Sequence, residues 1–361
     1  MELFHANRQW ASRPVDERFE SLEALYRATK AYGDVAREKT DVRFGDVRVE
    51  NQNDDVVLTG RANVPAKLSH YAFGQLCARV GAPANYLREL PAGMAVSNLN
   101  HGLAVRSNAS DTRDCKLNLL FHQNDGLLLR AVTSDKYARI WNWEVADRLR
   151  DMSARGWEPA RPDIRKSIGD YPALYASDHD MFAFVRNSNL SITERGSDGA
   201  VYKGVIVENS EVGASALKLT RFLYREMCGN HIIWGASKVL EISVRHVGDA
   251  RERWQGYQAQ LRAYAEESVS DVEAKIAKSK TAFLGKDKDA VLDALFGKRI
   301  SGLSRKVIEQ GYDAVLPEQD GPANTQWGIV QGLTRFSQSV PYADKRTEID
   351  RAAGKVLEAT F

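Results

Sequence analysis

The hydrophobic and polar positions change period along the chain. Apolar residues recur three or four positions apart between Pro14 and Tyr32, which predicts an amphipathic helix. Two strands are predicted next, at Val42–Val49 and Val56–Thr59, joined by turn-forming residues 51–54. Three short helices should follow, separated by glycine and proline, at Leu68–Val80, Pro83–Leu90 and Ala92–Leu103.

The middle of the chain has the alternation that is typical of strands. A hairpin is predicted from Lys116–His122 and Leu127–Thr133, because the Asp-Gly step between them suits a tight turn. A helix at Trp143–Ala154 follows it. A second β-rich region is then expected, with strands at Met181–Arg186, Val201–Glu208, Ala214–Arg225 and His231–Arg245.

Beyond Gly248 the pattern indicates helices alone. A long helix is predicted at Ala250–Phe283, and its apolar stripe suits packing within the chain or self-assembly. Further helices are expected at Asp287–Phe296, Ser304–Tyr312, Gln326–Phe336 and Asp344–Ala359. The sequence therefore predicts an α+β fold with an antiparallel β-rich centre, N-terminal helices and a helical C-terminal region. The expected domains are 1–248 and 249–361.

Composition limits the classes of protein to which the chain can belong. The 361 residues are 43% hydrophobic and 27% charged, as in a globular protein, and no run is long and apolar enough for a membrane helix. The formal net charge of +2 means that any nucleic-acid surface must be a local patch. The three cysteines, Cys77, Cys115 and Cys228, form no close pair, so a reducing compartment and a cytoplasmic location are expected.

Motifs for the common catalytic classes are absent from the sequence. There is no phosphate-binding glycine loop, no Gly-x-Ser-x-Gly and no His-Glu-x-x-His. Cys228 and His231, with distant His246, could begin a metal site, but a buried thiol and a hydrogen-bonded histidine explain them more simply. Asp178, His179 and Asp180 suit either a general base or a solvated loop. No catalytic residue, metal or cofactor is therefore assigned, and an enzyme is not favoured.

Two stretches fit nucleic acid better. The first runs from Lys136 to Trp143 and interleaves cations with aromatic rings, the combination that single-stranded DNA needs. The second runs from Lys218 to Arg225, where a strand would place Arg221 and Arg225 on one face. The alternatives are a core role for the tryptophans and cross-strand ion pairs for the arginines. The candidate DNA-binding residues are Lys136, Tyr137, Arg139, Trp141, Trp143, Lys218, Arg221 and Arg225.

Three blocks of sequence resemble one family. They are Leu68–Pro91, Leu129–Asn142 and Val207–Asn230, and together they look like the phage/plasmid-like protein family, a domain of unknown function carried by phages, prophages and plasmids. The family-motif positions in this chain are Asn209, Ser210, Gly213, Cys228 and Asn230. Glu211–Val212 stands where the family commonly has His-Asp. The resemblance spans about residues 68–235 and leaves the C-terminal helices outside.

The resemblance implies a protein of a mobile element, and such elements encode replication, recombination and anti-defence functions. The leading hypothesis is a DNA-binding accessory protein that binds or anneals single-stranded DNA and forms a homo-oligomer through its C-terminal helices. A second hypothesis is a module that binds a host protein and counters a defence system. A third is an enzyme with an unrecognised site around Asn209, Ser210, Cys228 and His231.

Replacing Trp141 tests the first hypothesis. Trp141→Ala is expected to weaken binding of a single-stranded oligonucleotide without unfolding the protein, because a stacking platform is lost. Fluorescence anisotropy and thermal melting measure the two effects. A large fall in melting temperature with unaltered binding would instead place Trp141 in the core.

Overall fold

The fold is described from a computed structural model of the chain. The described residues are 17–60, 65–108, 116–124, 126–160, 173–193, 200–225, 230–232, 242–244, 246–250, 252, 254–256, 259, 263–264, 270–340 and 343–361.

Helices occupy both ends of the described chain and the segments between strands. In chain order they are α1 (Leu22–Asp34), α2 (His70–Val80), α3 (Ala84–Glu89), α4 (Ala92–Ser107), α5 (Asn142–Ser153), α6 (Ser270–Thr281), α7 (Lys288–Gly297), α8 (Arg305–Asp313), α9 (Pro317–Asp320), α10 (Gln326–Ser339) and α11 (Ala343–Glu358). A single 3-10 turn, Phe44–Asp46, interrupts the first β region.

The strands belong to two sheets in the middle of the chain. They are β1 (Arg18–Phe19), β2 (Ala36–Arg43), β3 (Val47–Gln52), β4 (Asp55–Gly60), β5 (Ala66–Leu68), β6 (Lys116–Asn124), β7 (Gly126–Ser134), β8 (Trp157–Pro159), β9 (Leu174–Ala176), β10 (Met181–Thr193), β11 (Ala200–Asn209), β12 (Leu217–Arg225), β13 (Asn230–Ile232) and β14 (Ile242–Val244). The predicted α+β class, with antiparallel sheets between helical ends, is confirmed.

Several predicted elements have different boundaries in the structure, among them the strand predicted at Met181–Arg186, which is β10 and extends to Thr193. The first helix begins at Leu22, after Ser21 accepts a hydrogen bond from the Ala24 N–H, whereas Arg18 and Phe19 pair with β9 instead. The predicted strand Val42–Val49 is divided between β2 and β3, because Phe44 is buried in the intervening 3-10 turn. Within the predicted helix Ala250–Phe283, residues 251, 253, 257–258, 260–262 and 265–269 lie outside the described residues. The residues described between 250 and 264 are helical, and the end of the predicted helix is α6.

The six-stranded sheet has the order β2-β6-β7-β5-β4-β3 and is antiparallel except at the β5–β7 pair. Its hairpin between β3 and β4 turns at Asn53 and Asp54, which have φ of 54° and 65°, the conformation that a tight hairpin requires. Helices α2, α3 and α4 cover one face with buried residues such as Leu76, Leu87 and Leu99. The amide of Asn100 on α4 bonds both the N–H and the C=O of Val49 on the edge strand β3.

The second sheet has the order β1-β9-β10-β11-β12-β13, and β8 and β14 pair with β10 and β12. Side chains alternate between its faces, as the strand period requires. One face packs Val185, Val205 and Leu219 against α1 and α5. The other face carries an aromatic cluster that includes Phe184 and Phe222, with ring centroids 6.5 Å apart.

The C-terminal helices enclose a separate core that includes Ile308, Leu333 and Ile349. This cluster agrees with the helical region expected beyond residue 248, although the predicted boundary between domains stays a prediction. Among the described residues, no helix is long and apolar enough to cross a membrane. Helices α8 and α10 approach very closely, since a Cβ on Gly332 would lie 2.1 Å from the Gly311 carbonyl oxygen.

The close approach makes Gly332→Ala a severe change. We expect it to lower the free energy of unfolding by about 3 kcal/mol or more, because backbone rather than a flexible side chain must move. Urea denaturation measures this loss. The matched control is Gly297→Ala, where a Cβ meets nothing within 4 Å, and it should be neutral or slightly stabilising. Equal effects of the two substitutions would contradict the packing described here.

Candidate functional site

A buried ion pair lies where the two sheets meet. Arg130 on β7 donates from Nη1 to Glu211 Oε2 at 3.0 Å, and each side chain is only 1% exposed. Glu211 follows the end of β11, so the pair links one sheet to the other. The second carboxylate oxygen of Glu211, Oε1, accepts the backbone N–H of Asn142 at 2.9 Å. Arg130 also donates to the carbonyl of Asp178. Both charges are therefore hydrogen-bonded on more than one side, as a buried pair requires.

Two buried amides continue this network. Asn209 Nδ2 donates to the Ile140 carbonyl at 3.0 Å and to Asn142 Oδ1 at 2.8 Å. Its own Oδ1 is buried and has no hydrogen-bond partner among the described residues. Asn209 thus ties the end of β11 to the start of α5, and one buried acceptor remains available for a water molecule or a ligand.

The family-motif residues after Asn209 shape the loop that follows β11. The hydroxyl of Ser210 donates to the His179 carbonyl at 2.6 Å and accepts the Ala214 N–H at 3.0 Å. Gly213 has a φ of +85°, which favours glycine, and a Cβ there would lie 3.3 Å from the ring of Tyr137. Asn209, Ser210 and Gly213 therefore have structural roles in holding the loop. Cys228 lies outside the described residues, and only the backbone of Asn230 is described, in β13.

Arg139 makes a second link across the site. Its Nε and Nη2 donate to Glu38 Oε1 at 3.1 and 2.8 Å, and its Nη1 donates to the carbonyl of Glu211. The side chain is 2% exposed. Its guanidinium also lies over the rings of Tyr137 and Trp141, 5.2 and 5.6 Å from their centroids. Arg139 thus joins β2, the Glu211 loop and two aromatic residues.

Tyr137 and His246 stack nearly parallel, with centroids 5.1 Å apart. The Tyr137 hydroxyl donates to the Ser210 carbonyl at 3.0 Å. Burial is the main reason that the pKa of Tyr137 is raised and that the pKa of His246 is lowered, to about 4. Both rings are therefore neutral near pH 7, and His246 Nε2 is buried with no hydrogen-bond partner in the part of the chain that the structure describes.

The loop between β9 and β10 brings the Asp178, His179 and Asp180 side chains together. His179 Nδ1 lies 3.3 Å from Asp178 Oδ1, and its Nε2 lies 3.7 Å from Asp180 Oδ2. The hydroxyl of Ser177 accepts the N–H groups of residues 179 and 180 and donates to Asp180 Oδ1 at 2.7 Å. The same hydroxyl lies 3.3 Å from His179 Nδ1, so Ser177 and the three side chains form one hydrogen-bonded turn.

A cavity of about 300 Å³ lies beside the ion pair. Tyr32 at the end of α1, Asn142 at the start of α5, and Ser177, Asp178 and Glu211 contribute to its walls. The His179 side chain is the main cause of the lowered pKa of Asp178, which therefore stays ionised. Burial raises the pKa of Tyr32, which stays protonated.

The remaining residues of the first candidate stretch have different surroundings. Lys136 is exposed. Trp141 is half-buried beside the cluster of Leu120, Ala131 and Val212. The ring of Trp143 packs on α1, where a Cβ on Gly33 would lie 2.8 Å from it. Their contribution to DNA binding, with that of Tyr137 and Arg139, stays a prediction.

The second candidate stretch is β12. Lys218 lies 3.4 Å from the buried carboxylate of Glu208, its cross-strand neighbour. Arg221, on the opposite face, has its guanidinium 4.2 Å from the centroid of the Tyr264 ring. The side chain of Arg225 lies outside the described residues. The role of β12 in DNA binding also stays a prediction.

A cationic pocket of about 360 Å³ lies elsewhere, at the far end of β2. Arg43, Arg106 and Lys116 line it together with one acidic residue, Asp46, and the three cations come from the ends of β2 and α4 and the start of β6. Within the described part of the chain, the guanidinium groups of Arg43 and Arg106 have no ion pair or hydrogen bond. Lys116 has an exposed pair with Asp41 at 2.8 Å. Sequence reasoning missed this pocket, because no short window contains its three cations.

No group of three or more histidine, cysteine or acidic side chains in the described ranges could hold a metal ion. Only the backbone of His231 is described, paired with Tyr224. The described cysteine, Cys77, is buried, and burial raises the pKa of its thiol.

The fold and site define an α+β protein in which a buried polar network joins two sheets. Residues 130–353 match the family described as a domain of unknown function, DUF932. The match covers more than half of the chain, and the protein belongs to this family. It begins at Arg130 and includes the C-terminal helices, which the expected span of about 68–235 had left outside. No curated protein and no solved structure matches the chain.

Removing Arg130 tests the importance of the buried pair. Arg130→Met is expected to lower the free energy of unfolding by about 3–5 kcal/mol, because Glu211 would remain buried without its cation. The control is Arg148→Met, which breaks the exposed Arg148–Asp151 pair at 3.3 Å and should cost less than about 1 kcal/mol. Chemical denaturation of both variants measures these changes. Equal losses of unfolding free energy in the two variants would show that the Arg130–Glu211 pair does not hold the sheets together.

Proposed function

We propose that this protein is a DNA-binding accessory protein of a phage or plasmid that binds single-stranded DNA. The supporting observation is the open pocket formed by Arg43, Arg106 and Lys116. Arginine binds phosphate through a planar fork of donors, and two of these cations are not already neutralised by the described carboxylates. The mobile-element origin rests on the sequence resemblance alone.

The edge strand β2 extends this cationic surface. β2 is the outer strand of its sheet, and it exposes Arg37 and Lys39 before reaching Arg43. Its two acidic residues, Glu38 and Asp41, form ion pairs with Arg139 and Lys116. Eight residues of strand span roughly 20 Å, room for several nucleotides. A charged edge also protects a sheet from pairing with another chain. The pocket favours the DNA proposal over edge protection alone, since Arg106 and Lys116 belong to other elements.

Exposed cations suit binding to DNA phosphates better than buried cations do. A phosphate contact releases counterions only where the cation reaches solvent, and each such contact adds to the salt dependence of binding. The three pocket cations are exposed, whereas Arg139 is held by Glu38 and the Glu211 carbonyl. We therefore propose the pocket and the β2 edge as the first contact with the DNA backbone, with Lys136 as a further exposed contact.

A second candidate function is a module that binds a host protein and counters a defence system. Three large apolar side chains of α3 and α4 are more than half exposed: Tyr86, Met94 and Val105. Exposed apolar side chains on neighbouring helices favour protein contact. Protein capture by the tagged chain, without DNA affinity, would support this alternative.

Salt-dependent binding tests the DNA proposal. Labelled single-stranded oligonucleotide should bind saturably in fluorescence anisotropy, with log affinity falling as log salt rises. Removing two phosphate contacts in Arg43→Gln/Arg106→Gln should weaken binding and reduce the slope by about 1.4, at roughly 0.7 per phosphate. The control Arg27→Gln/Arg148→Gln removes the same charge from exposed ion pairs and should bind like the wild type. Absence of wild-type binding at low salt would refute the DNA proposal, and equal losses in both double variants would refute the pocket.

A further inference from the structure

We propose that the cavity beside the Arg130–Glu211 pair binds a single nucleobase through hydrogen bonds from Asn142 and to Asp178. This deepens the proposed nucleic-acid function and rests on it for the source of the base. The cavity of about 300 Å³ is at the small end of the range for ligand pockets. Its walls come from α1, the β9–β10 loop, the loop after β11 and the start of α5.

The orientation of Asn142 supplies a donor. The Ile140 carbonyl fixes Asn209 so that its Nδ2 points toward Asn142, which must then present Oδ1 in return. Asn142 Nδ2 consequently points away from Asn209, and it has no hydrogen bond to any described residue. Asn142 is 3% exposed and lines the cavity. The Asn142 amide N–H therefore faces the cavity as a donor with no partner among the described residues, and a ligand that supplies an acceptor suits it.

Asp178 supplies the complementary acceptor. Its carboxylate is 56% exposed and touches His179, whereas Arg130 binds only the backbone carbonyl of this residue. Glu211, in contrast, has both oxygens engaged by Arg130 and by the Asn142 N–H. Asp178 is therefore the carboxylate that can accept from a ligand without breaking the buried network.

Tyr32 adds a hydroxyl and limits the direction of approach. Its ring stacks on His122 with centroids 4.1 Å apart, and the Arg130 guanidinium lies 4.4 Å from its centroid. Its hydroxyl makes no hydrogen bond with the described residues. Because the ring is already in contact with two planar groups, we assign its role to the hydroxyl rather than to stacking with the ligand.

These groups suit a heterocycle that presents a donor beside an acceptor. Arg130 offsets the charge of Glu211, whereas the carboxyl groups of Glu17 and Asp178 also line the wall, so the edge that meets them must donate. A nucleobase edge combines an N–H or amino donor with a ring nitrogen or carbonyl acceptor. Proteins that bind single strands reach such edges on unstacked bases. The cavity and the cationic pocket lie near opposite ends of β2, so one strand could contact both.

Nucleosides without phosphate test this cavity separately from the DNA surface. In protein NMR titrations of the full chain, uridine and cytidine should bind, whereas 3-methyluridine should bind about tenfold more weakly than uridine because it lacks the donor for Asp178. Asp178→Asn should remove most of this preference, and Tyr32→Phe should weaken uridine binding severalfold. The control Asp151→Asn changes an exposed carboxylate of α5 outside the cavity and should leave uridine binding unchanged. Melting temperatures near that of the wild type confirm that the variants are folded.

Each outcome has a distinct meaning. Equal binding of uridine and 3-methyluridine, or no binding of uridine and cytidine at millimolar concentration, overturns the nucleobase site. Oligonucleotide binding that depends on Arg43 and Arg106, without nucleoside binding, leaves the proposed function standing and refutes only the cavity. Nucleoside binding lost in Asp178→Asn, without oligonucleotide binding, supports the cavity and refutes only the DNA function.

Discussion

The Arg130–Glu211 pair is the constraint on which the site depends. Bringing two charges out of water costs several kcal/mol per ion, and a single contact does not recover this. The surrounding groups therefore have to be in place: the Asn142 N–H, the Asp178 carbonyl and the two residues themselves. Because these partners come from both sheets, a helix start and a loop, satisfying one buried pair fixes the relative positions of four elements.

The spacing of apolar residues was sufficient to predict the helices whose stabilising residues lie within the helix itself. Helices α2 to α5 and α7, α8, α10 and α11 follow the predicted ranges, because their caps and apolar faces are encoded within each segment. The predicted start of α1 was wrong, since Phe19 pairs with Leu174 far along the chain. The division at Phe44 was missed for a related reason: burial of its ring depends on α4 and β6, which no local window includes.

The site was less predictable than the fold. The family resemblance identified Asn209, Ser210 and Gly213, and the structure gives each a specific contact or backbone role. A run of cations and aromatic residues does not reveal which charges are already paired, and Arg139 is bound to Glu38 from a distant strand. Arg43 and Arg106 have the opposite situation, because they are distant in sequence and adjacent only in the folded chain.

The contact between Asn100 and Val49 bears on how the protein behaves at high concentration. A side-chain amide has the same donor and acceptor as a peptide group, so Asn100 occupies a position where a foreign strand would begin to pair. The opposite edge, β2, exposes charged side chains of both signs, which a foreign strand would have to remove from water before it could pair. Addition of a further strand to this sheet is thus opposed at one edge by an amide that already occupies the pairing position and at the other by hydrated charges, which should keep the protein dispersed during synthesis in a crowded cell.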